Sequence, residues 1–313
     1  MSLTRYPGGI DTPFITSGGA RFSSPWATHY FVDGDNGNDG NTGKEPSKAF
    51  KTIQRAVTIS TGGDVIYIKP KTYTLGTGFA RYTEDVVIAQ SGAGNGVTDK
   101  NANKSLIGVT QRNVPTDFLG VRWKFASTTN LNIESPCTHV ENIGFFTEGA
   151  TYGIYLECDG APRTKTNDGS SIYNCAIKGE GKIYSDGSNE LEIIHCRFQA
   201  KYDGTVGGIN LVGSANAIAR PIIRDCEFIG GNANNMSDAC IIGAAPWYDA
   251  VIRDCYFNAE TDTNVYINIA GSTSTGTISN CHFSCADVSS GRIVEGGLIC
   301  TGIYDGGGLA TST

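Results

Sequence analysis

One hexapeptide pattern recurs along the second half of the chain and constrains the fold more than any other feature. It consists of Ile or Val, any residue, then Asn, Asp or His, then Cys or Ile, any residue, and Phe or Ile. Steps of 21 to 32 residues separate its copies, as is typical of the coils of a solenoid. The six copies occupy residues 140–145, 172–177, 193–198, 223–228, 252–257 and 278–283.

The pattern also predicts the path of the chain through each coil. Cys and Phe two positions apart lie on one face of a strand, because side chains alternate between faces. The branched residue three positions before Cys breaks this alternation, so the chain has to bend. Asn, Asp and His tolerate the left-handed backbone of such a bend better than other non-glycine residues. Two short strands meeting at a one-residue corner predict an all-β fold, a single-stranded right-handed parallel β-helix.

Stacked coils predict an internal ladder of small apolar side chains. Cys acts there as a small hydrophobe beside Phe, and thiols that point the same way do not meet disulfide geometry. We therefore expect free thiols among the ten cysteines. Zinc binding is the alternative, although the sequence has no C-x2-C pair. The predicted ladder residues are Cys175, Cys196, Cys226, Cys255 and Cys281, with Asn142, Asn174 and Asn280 at corners.

Further strand-like segments between the hexapeptides predict another long sheet of the solenoid. The linkers that separate the segments are rich in Gly, Asn, Ser and Thr and vary in length, as loops at the corners of coils do. The strand-like segments begin at Gly153, Gly208, Ala239, Val265 and Gly297.

Residues 29–74 form a separate unit of the sequence. A strand leads through an Asp/Gly/Asn loop into an amphipathic helix, for which Ser47 is the predicted N-cap, and then into a buried strand within residues 63–70. We expect this helix to cover the open end of the solenoid, because that end would otherwise expose apolar surface and unpaired strand edges. The predicted buried face of the helix consists of Phe50, Ile53, Ala56 and Val57.

This order of elements resembles the start of pectate-lyase-like right-handed β-helix proteins, in which a short helix covers the first coil. The resemblance covers residues 29–74 closely and residues 86–302 through the repeat alone. It implies the fold and not the function, because the fold hosts lyases, hydrolases and inert virion parts. The chain then divides into an extended arm (1–28), a cap with the first coils (29–74), the β-helix (75–305) and a tail (306–313).

Residues 3–10 resemble the opening of small β-helix structural proteins of tailed bacteriophages. Residues 1–28 hold few apolar side chains and many Gly, Pro, Ser and Thr, so they cannot form a core alone. We expect this arm to dock on another subunit or partner, since free termini usually fray. The resemblance implies that Arg5, Tyr6 and Pro7 contact a capsid.

Charge and hydropathy narrow the classes of partner. The formal net charge is -7 and no run of Lys or Arg exists, which argues against a nucleic-acid partner. No segment approaches the roughly 18 apolar residues of a membrane-spanning helix. The first residues lack the apolar core of a signal peptide. We therefore expect no membrane partner and a chain that is made in a cytosol.

The loop after the first strand spaces Asp33, Asp35 and Asp39 in the manner of calcium ligands. The Glu that an EF-hand requires is missing, and Asp, Asn and Gly form such turns without metal. We expect no cofactor, with calcium at these three residues as the alternative.

Cleavage of a polysaccharide requires two carboxylates beside a groove. Asp225 and Asp254 are one candidate pair, on neighbouring coils with Glu227 close by. They occupy the corner position of the repeat, which explains them without catalysis. Glu157 and Asp159, at a strand end before a long loop, are a second pair.

A lyase of the pectate type implies an Asp cluster that holds calcium, with Arg or Lys as base. Arg197, Arg224 and Arg253 are not accompanied by such a cluster. We expect them to form a charge ladder with Glu227 along the surface. No Ser or Cys nucleophile pairs with any of the four histidines by spacing.

Trp247 and Tyr248 follow a proline and are predicted to form an exposed aromatic tip. Such a tip suits either stacking on a sugar or anchoring of a protein partner.

These observations predict a non-enzymatic bacteriophage virion protein that decorates the capsid or another part of the head. We expect a homotrimer that is located in the virion and anchored through its arm to other virion proteins, chiefly the major capsid protein. The alternative is a tailspike-like protein that binds host surface polysaccharide or degrades it as a glycoside hydrolase or lyase.

Overall fold

The computed structural model describes most of the chain between residue 27 and residue 310. The segments that it describes are 27–74, 78–91, 99–109, 120–127, 129–158, 165–199, 208–212, 218–230, 239–258, 265–269, 273–284, 293–305 and 308–310. The predicted capsid contacts Arg5, Tyr6 and Pro7, and the candidate acid Asp159, lie outside these segments.

The described residues form a parallel β-helix, as predicted. In each full coil the chain passes through a first, a second and a third sheet before it returns to the first. The general preference of crossovers between parallel strands for one hand favours the predicted right-handed sense. The strands of the first sheet are His29–Val32, Val65–Ile68, Ser105–Gly108, His139–Glu141, Ser171–Tyr173, Glu192–Ile194, Ile222–Arg224, Ala250–Arg253, Gly276–Ser279 and Ile299–Thr301.

The second and third sheets are built from the remaining strands of each coil. The second sheet contains Tyr82–Thr83, Val121–Lys124, Ile143–Thr147, Ala176–Gly179, Arg197–Gln199, Glu227–Ile229, Tyr256–Asn258, His282–Phe283, Ile303–Asp305 and the antiparallel Gly308–Ala310. The third sheet contains Val86–Ile88, Thr129–Ile133, Tyr152–Leu156, Lys182–Ser185, Ile209–Leu211, Ile241–Gly243, Ile267–Ile269 and Ile293–Val294. Two further pairs of short strands lie outside these three sheets: Tyr73–Thr74 with Gly78–Phe79, and Ile218–Ala219 with Trp247–Tyr248.

The corner between the first and second sheets is the bend that the hexapeptide predicts. In six successive coils one residue sits there with a φ between 50° and 59°, in the left-handed region. Short polar side chains tolerate this conformation because they make local hydrogen bonds. The corner residues are Asn142, Asn174, His195, Asp225, Asp254 and Asn280.

The interior repeats from coil to coil, because identical positions stack in register. The rings of Phe198, Phe228, Phe257 and Phe283 have centroids 4.7–4.8 Å apart and planes within 7° of one another. The prediction of buried, free thiols is confirmed for all five ladder cysteines. Cys196 Sγ, for example, donates to the carbonyl of Ile172 in the preceding coil at 3.6 Å.

The N-terminal cap contains the predicted helix, but the helix starts later than expected. It spans Ile53–Ile59 and we call it the capping helix; its N-cap is Thr52, whose hydroxyl accepts a hydrogen bond from the Arg55 N–H. Ser47 is not the N-cap, because it lies in a 3-10 turn over Pro46–Lys48. Extended backbone between this turn and the helix lets Phe50 pair with Val32 of the first strand, so helical backbone cannot begin earlier.

Two carboxylates hold the start of the capping helix. Asp39 Oδ1 accepts from the backbone N–H groups of Lys51 and Thr52, and Glu84 accepts from those of Ile53 and Gln54. Carboxylates favour a helix N-terminus, where N–H groups lack partners within the helix. No helix in the described segments is long and apolar enough to cross a membrane.

The sequence analysis identified only some of the strands of the third sheet. The segments from Gly153, Gly208, Ala239 and Val265 do supply its strands. The segment from Gly297 does not, because Ile299–Thr301 pairs with Gly276–Ser279 of the first sheet. Four strands of the third sheet were not predicted: Val86–Ile88, Thr129–Ile133, Lys182–Ser185 and Ile293–Val294.

Candidate functional site

The calcium candidates are engaged by the protein itself. Asp33 accepts from backbone N–H groups within its own loop and from Lys69 Nζ at 2.6 Å. Asp35 accepts from the backbone and hydroxyl of Thr72, while Asp39 holds the helix start. The three carboxylates therefore face three separate sets of donors and do not fit a shared calcium ion. In the described segments no three His, Cys, Asp or Glu side chains are grouped to hold a metal.

The first carboxylate pair lies at the corner of the solenoid. Asp225 and Asp254 both have the left-handed backbone of that corner. Asp225 lies 3.8 Å from His195 Nε2 and Asp254 lies 3.7 Å from an Arg253 nitrogen. Both side chains are about one-third exposed. The corner role accounts for both residues.

The arginines do not form one ladder. Arg197 lies 3.3 Å from Glu227 across neighbouring strands of the second sheet. Arg224 and Arg253 are neighbours in the first sheet, on the other side of the corner.

The predicted aromatic tip is wrong for Trp247. Its side chain is 0% exposed, whereas that of Tyr248 is 42% exposed. Alternate side chains of this short strand point to opposite sides, so only Tyr248 faces solvent. The indole lies against Gly243, where an added Cβ would come within 2.7 Å of Trp247 Nε1.

A Ser–His–Glu network, which sequence spacing did not reveal, lies on the first sheet. His139 Nδ1 is 2.7 Å from Ser171 Oγ on the next strand, and its Nε2 is 3.1 Å from Glu141 Oε2. This connectivity is that of nucleophile, base and orienting acid. All three side chains are buried, however, and the Ser171 N–H is bonded to the Thr138 carbonyl. No substrate access or free oxyanion donor follows from this geometry, so we interpret the network as structural.

The outer face of the third sheet carries the most distinctive polar surface. Side chains two positions apart on a strand share its outer face. Because the strands of three neighbouring coils stack in register, these side chains form two columns that cross the coils. We call this set the Tyr–carboxylate surface. Its members are Tyr152, Tyr155, Tyr184, Glu134, Glu157 and Asp186.

The three tyrosines form one half-buried aromatic cluster. The Tyr152 centroid lies 5.0 Å from that of Tyr155 and 4.7 Å from that of Tyr184. The Tyr155 hydroxyl donates to Asp186. Burial, reinforced by Asp186, raises the pKa of Tyr184 to about 12 and also raises the pKa of Tyr155. Both hydroxyls therefore stay protonated near neutral pH.

The carboxylates of this surface are held by internal donors. Lys165 Nζ lies 2.5 Å from Glu157 and 3.1 Å from Glu134, and Asn132 Nδ2 donates to Glu157 at 2.7 Å. Burial alone would raise the pKa of Glu157, but the hydrogen bonds from Lys165 and Asn132 outweigh it and lower that pKa. An ionised Glu157 cannot act as the general acid of a glycosidase near neutral pH.

A sequence signal for this surface exists. The pairs Asn132/Glu134, Tyr155/Glu157 and Tyr184/Asp186 each place an acid two residues after a polar or aromatic side chain, one coil apart. Glu157 was named from the sequence, but Asn132, Tyr184 and Asp186 were missed because neither Thr129–Ile133 nor Lys182–Ser185 was recognised as a strand.

Comparison of the chain with protein-family models, with curated proteins and with solved structures gave no match. Its function therefore has to be inferred from geometry and chemistry.

Proposed function

We propose that this chain is a non-enzymatic structural protein of a bacteriophage virion, a rigid solenoid that decorates the capsid or head. One observation carries the non-enzymatic part. Each described catalytic candidate either occupies a corner of the coil or has an internal charged partner: Asp225 and Asp254 at corners, Glu227 beside Arg197, and Glu157 beside Lys165. A glycoside hydrolase instead needs one carboxyl that stays protonated and acts as the general acid.

The stacked interior suits a mechanical role. Parallel strands in register connect each coil to the next, so local opening has to break ladders on three sheets. Buried Phe and Cys columns add continuous packing along the same axis. Opening that has to break several ladders at once meets a high barrier, and a particle exposed outside the host benefits from such kinetic stability. In this proposal the arm (residues 1–28) anchors a homotrimer to the major capsid protein.

Composition of purified particles tests this proposal. Quantitative mass spectrometry of phage particles that carry the gene should find the chain in numbers comparable to the sites of the capsid lattice. A few copies restricted to tails would support the spike alternative. Absence of the chain from particles would overturn the virion role.

The second candidate is binding of host surface polysaccharide without cleavage. The Tyr–carboxylate surface favours it, because aromatic rings beside hydrogen-bonding groups present both an apolar face and polar partners to a sugar. Incubation of the purified protein with host capsule or lipopolysaccharide should leave the glycan length unchanged in gel filtration. Shortened glycans would overturn the non-enzymatic proposal.

A further inference from the structure

We propose that the folded chain forms an amide bond between the side chains of Lys165 and Asn132, with Glu157 as the residue that carries the protons. Asn132 lies in the strand Thr129–Ile133, and Lys165 comes after the strand Tyr152–Leu156 of the next coil. The bond would therefore hold two neighbouring coils together even where their strand ladders open. This inference depends neither on the virion role nor on binding of a polysaccharide.

Two carboxylates bring the reacting groups together. Lys165 Nζ lies 2.5 Å from Glu157 Oε1, and Asn132 Nδ2 donates to the other oxygen of that carboxylate, Oε2, at 2.7 Å. Glu134 Oε1 lies 3.1 Å from the same ammonium nitrogen and accepts from the same amide nitrogen at 3.2 Å. A single oxygen of Glu134 thus contacts both nitrogens. Groups held side by side in this way react as if each were present at very high concentration.

The amide of Asn132 is held only through its nitrogen. Its Oδ1 is buried and accepts no hydrogen bond from the part of the chain that the structure describes. Rotation about the Cβ–Cγ bond, which turns the face of the carbonyl carbon toward Lys165, therefore breaks no hydrogen bond at the oxygen. The side chains of Lys165, Glu157 and Glu134 are each more than two-thirds buried, so the site is largely shielded from solvent.

The reaction balances without any other reagent. Nζ of Lys165 attacks Cγ of Asn132, so a Cγ–Nζ bond forms and the Cγ–Nδ2 bond breaks. The ammonium group of Lys165 gives up two protons. Glu157 is ionised and contacts both nitrogens, so it accepts these protons in turn and passes them to Nδ2, which leaves as ammonium. One amide replaces another, and nothing is oxidised or reduced.

The charge on Lys165 sets the rate of this reaction. Burial alone would lower the pKa of Lys165, but hydrogen bonds to Glu157 and Glu134 outweigh it and raise that pKa. The freshly folded chain therefore holds an ion pair, and attack has to wait until one proton passes to Glu157. We expect the bond to form slowly, and faster at alkaline pH, because the uncharged amine is the nucleophile.

Mass spectrometry of the folded full chain tests the proposal, with samples taken over several days at neutral and at alkaline pH. The intact mass should fall by one ammonia, and trypsin should release a branched peptide that joins residues 125–163 to residues 164–178. Cyclisation at Asn36–Gly37 would also release ammonia, but it would leave these two peptides separate. Absence of the branched peptide at both pH values would overturn the proposal.

Variants separate the reacting groups from the proton carrier. Lys165→Arg keeps the positive charge but should form no branched peptide. Asn210→Ala is the matched control, because Asn210 occupies the register position of Asn132 further along the third sheet, and it should react at the rate of the parent. Glu157→Gln retains both reacting groups and should slow the reaction at least tenfold. An unchanged rate in Glu157→Gln would overturn the role of Glu157, and loss of the bond in Asn210→Ala would contradict the assigned partner.

Discussion

The ammonium group of Lys104 donates to the backbone carbonyl of Val57 at 2.8 Å, inside the N-terminal end of the solenoid. Val57 lies in the last turn of the capping helix, where carbonyl groups lack partners within the helix. Lys104 is only 1% exposed. Burial lowers the pKa of Lys104 to about 8, although Asp64 and Asp99 partly oppose the shift.

This lysine predicts a gain of stability at alkaline pH. Between the folded pKa near 8 and the ordinary value of 10.5, the unfolded chain binds more protons at this site than the folded chain. The free energy of unfolding should therefore rise by about 2 kcal/mol from pH 7 to pH 9.5. Urea denaturation at both pH values measures it. Lys104→Met should flatten this rise; an equal rise in that variant would contradict the assignment.

The cysteine ladder predicts thiols that are inert while the protein is folded. Burial raises the pKa of Cys175 and Cys226, and the thiolate is the reactive form. Iodoacetamide should label the ladder at least 100-fold more slowly in native protein than in denaturant. The half-buried Cys137 and Cys300 serve as internal controls and should react first. Rapid native labelling of Cys226, or a disulfide found by mass spectrometry, would contradict the stacked interior.

The stacked phenylalanines predict that truncation of one ring lowers the stability of the fold strongly. Phe228 is stacked between Phe198 and Phe257, with both centroid distances at 4.8 Å. Phe228→Ala should lower the free energy of unfolding by about 3–5 kcal/mol, because a cavity remains between rings that cannot close up. Tyr256→Ala, on the neighbouring coil but 43% exposed, should cost less than about 1 kcal/mol. Equal losses in the two variants would argue against a rigid column.

At the corner residues we expect the stability of the protein to depend on the shape of the side chain and not on its charge. Asp254 has a φ of 55°. Asp254→Asn and Asp254→Gly should remain within about 0.5 kcal/mol of the parent, whereas Asp254→Val should cost about 1–2 kcal/mol because a branched side chain clashes in the left-handed region. Thermal denaturation distinguishes the three variants. A stability loss in Asp254→Asn similar to that in Asp254→Val would show that the carboxylate charge matters.

The sequence predicted those parts of the fold that repeat. The hexapeptide carries two independent signals, a face shared by Cys and Phe and a corner residue that tolerates positive φ, so the first two sheets and the interior followed from it. Lys182–Ser185 alternates polar and apolar side chains as a strand does, but over only four residues and without either of these two signals. Missing this strand hid Tyr184 and Asp186, and missing the strand Thr129–Ile133 hid Asn132, which donates to Glu157.

Errors at Ser47 and Trp247 have a common physical origin. Ser47 has the composition of an N-cap, but pairing of Phe50 with the first strand decides where helical backbone begins. Trp247 follows a proline in a loop-like segment, but the space above Gly243 accommodates its indole. Both outcomes depend on contacts between residues that are distant in sequence, which local patterns do not contain.

The pairing of Lys165 with Glu157 predicts how the Tyr–carboxylate surface responds to acid. Hydrogen bonds from Lys165 and Asn132 overcome the effect of burial and hold the pKa of Glu157 below its ordinary value. This contribution to stability is present above the unfolded pKa and is lost as pH falls through the folded one. Lys165→Met should therefore raise the pKa of Glu157, as measured by NMR titration of its side-chain carboxyl carbon. Lys69→Met removes a comparable pair with Asp33 at the N-terminal end and should leave Glu157 unchanged. A Glu157 pKa that does not move in Lys165→Met would mean that Lys165 does not stabilise this carboxylate in solution.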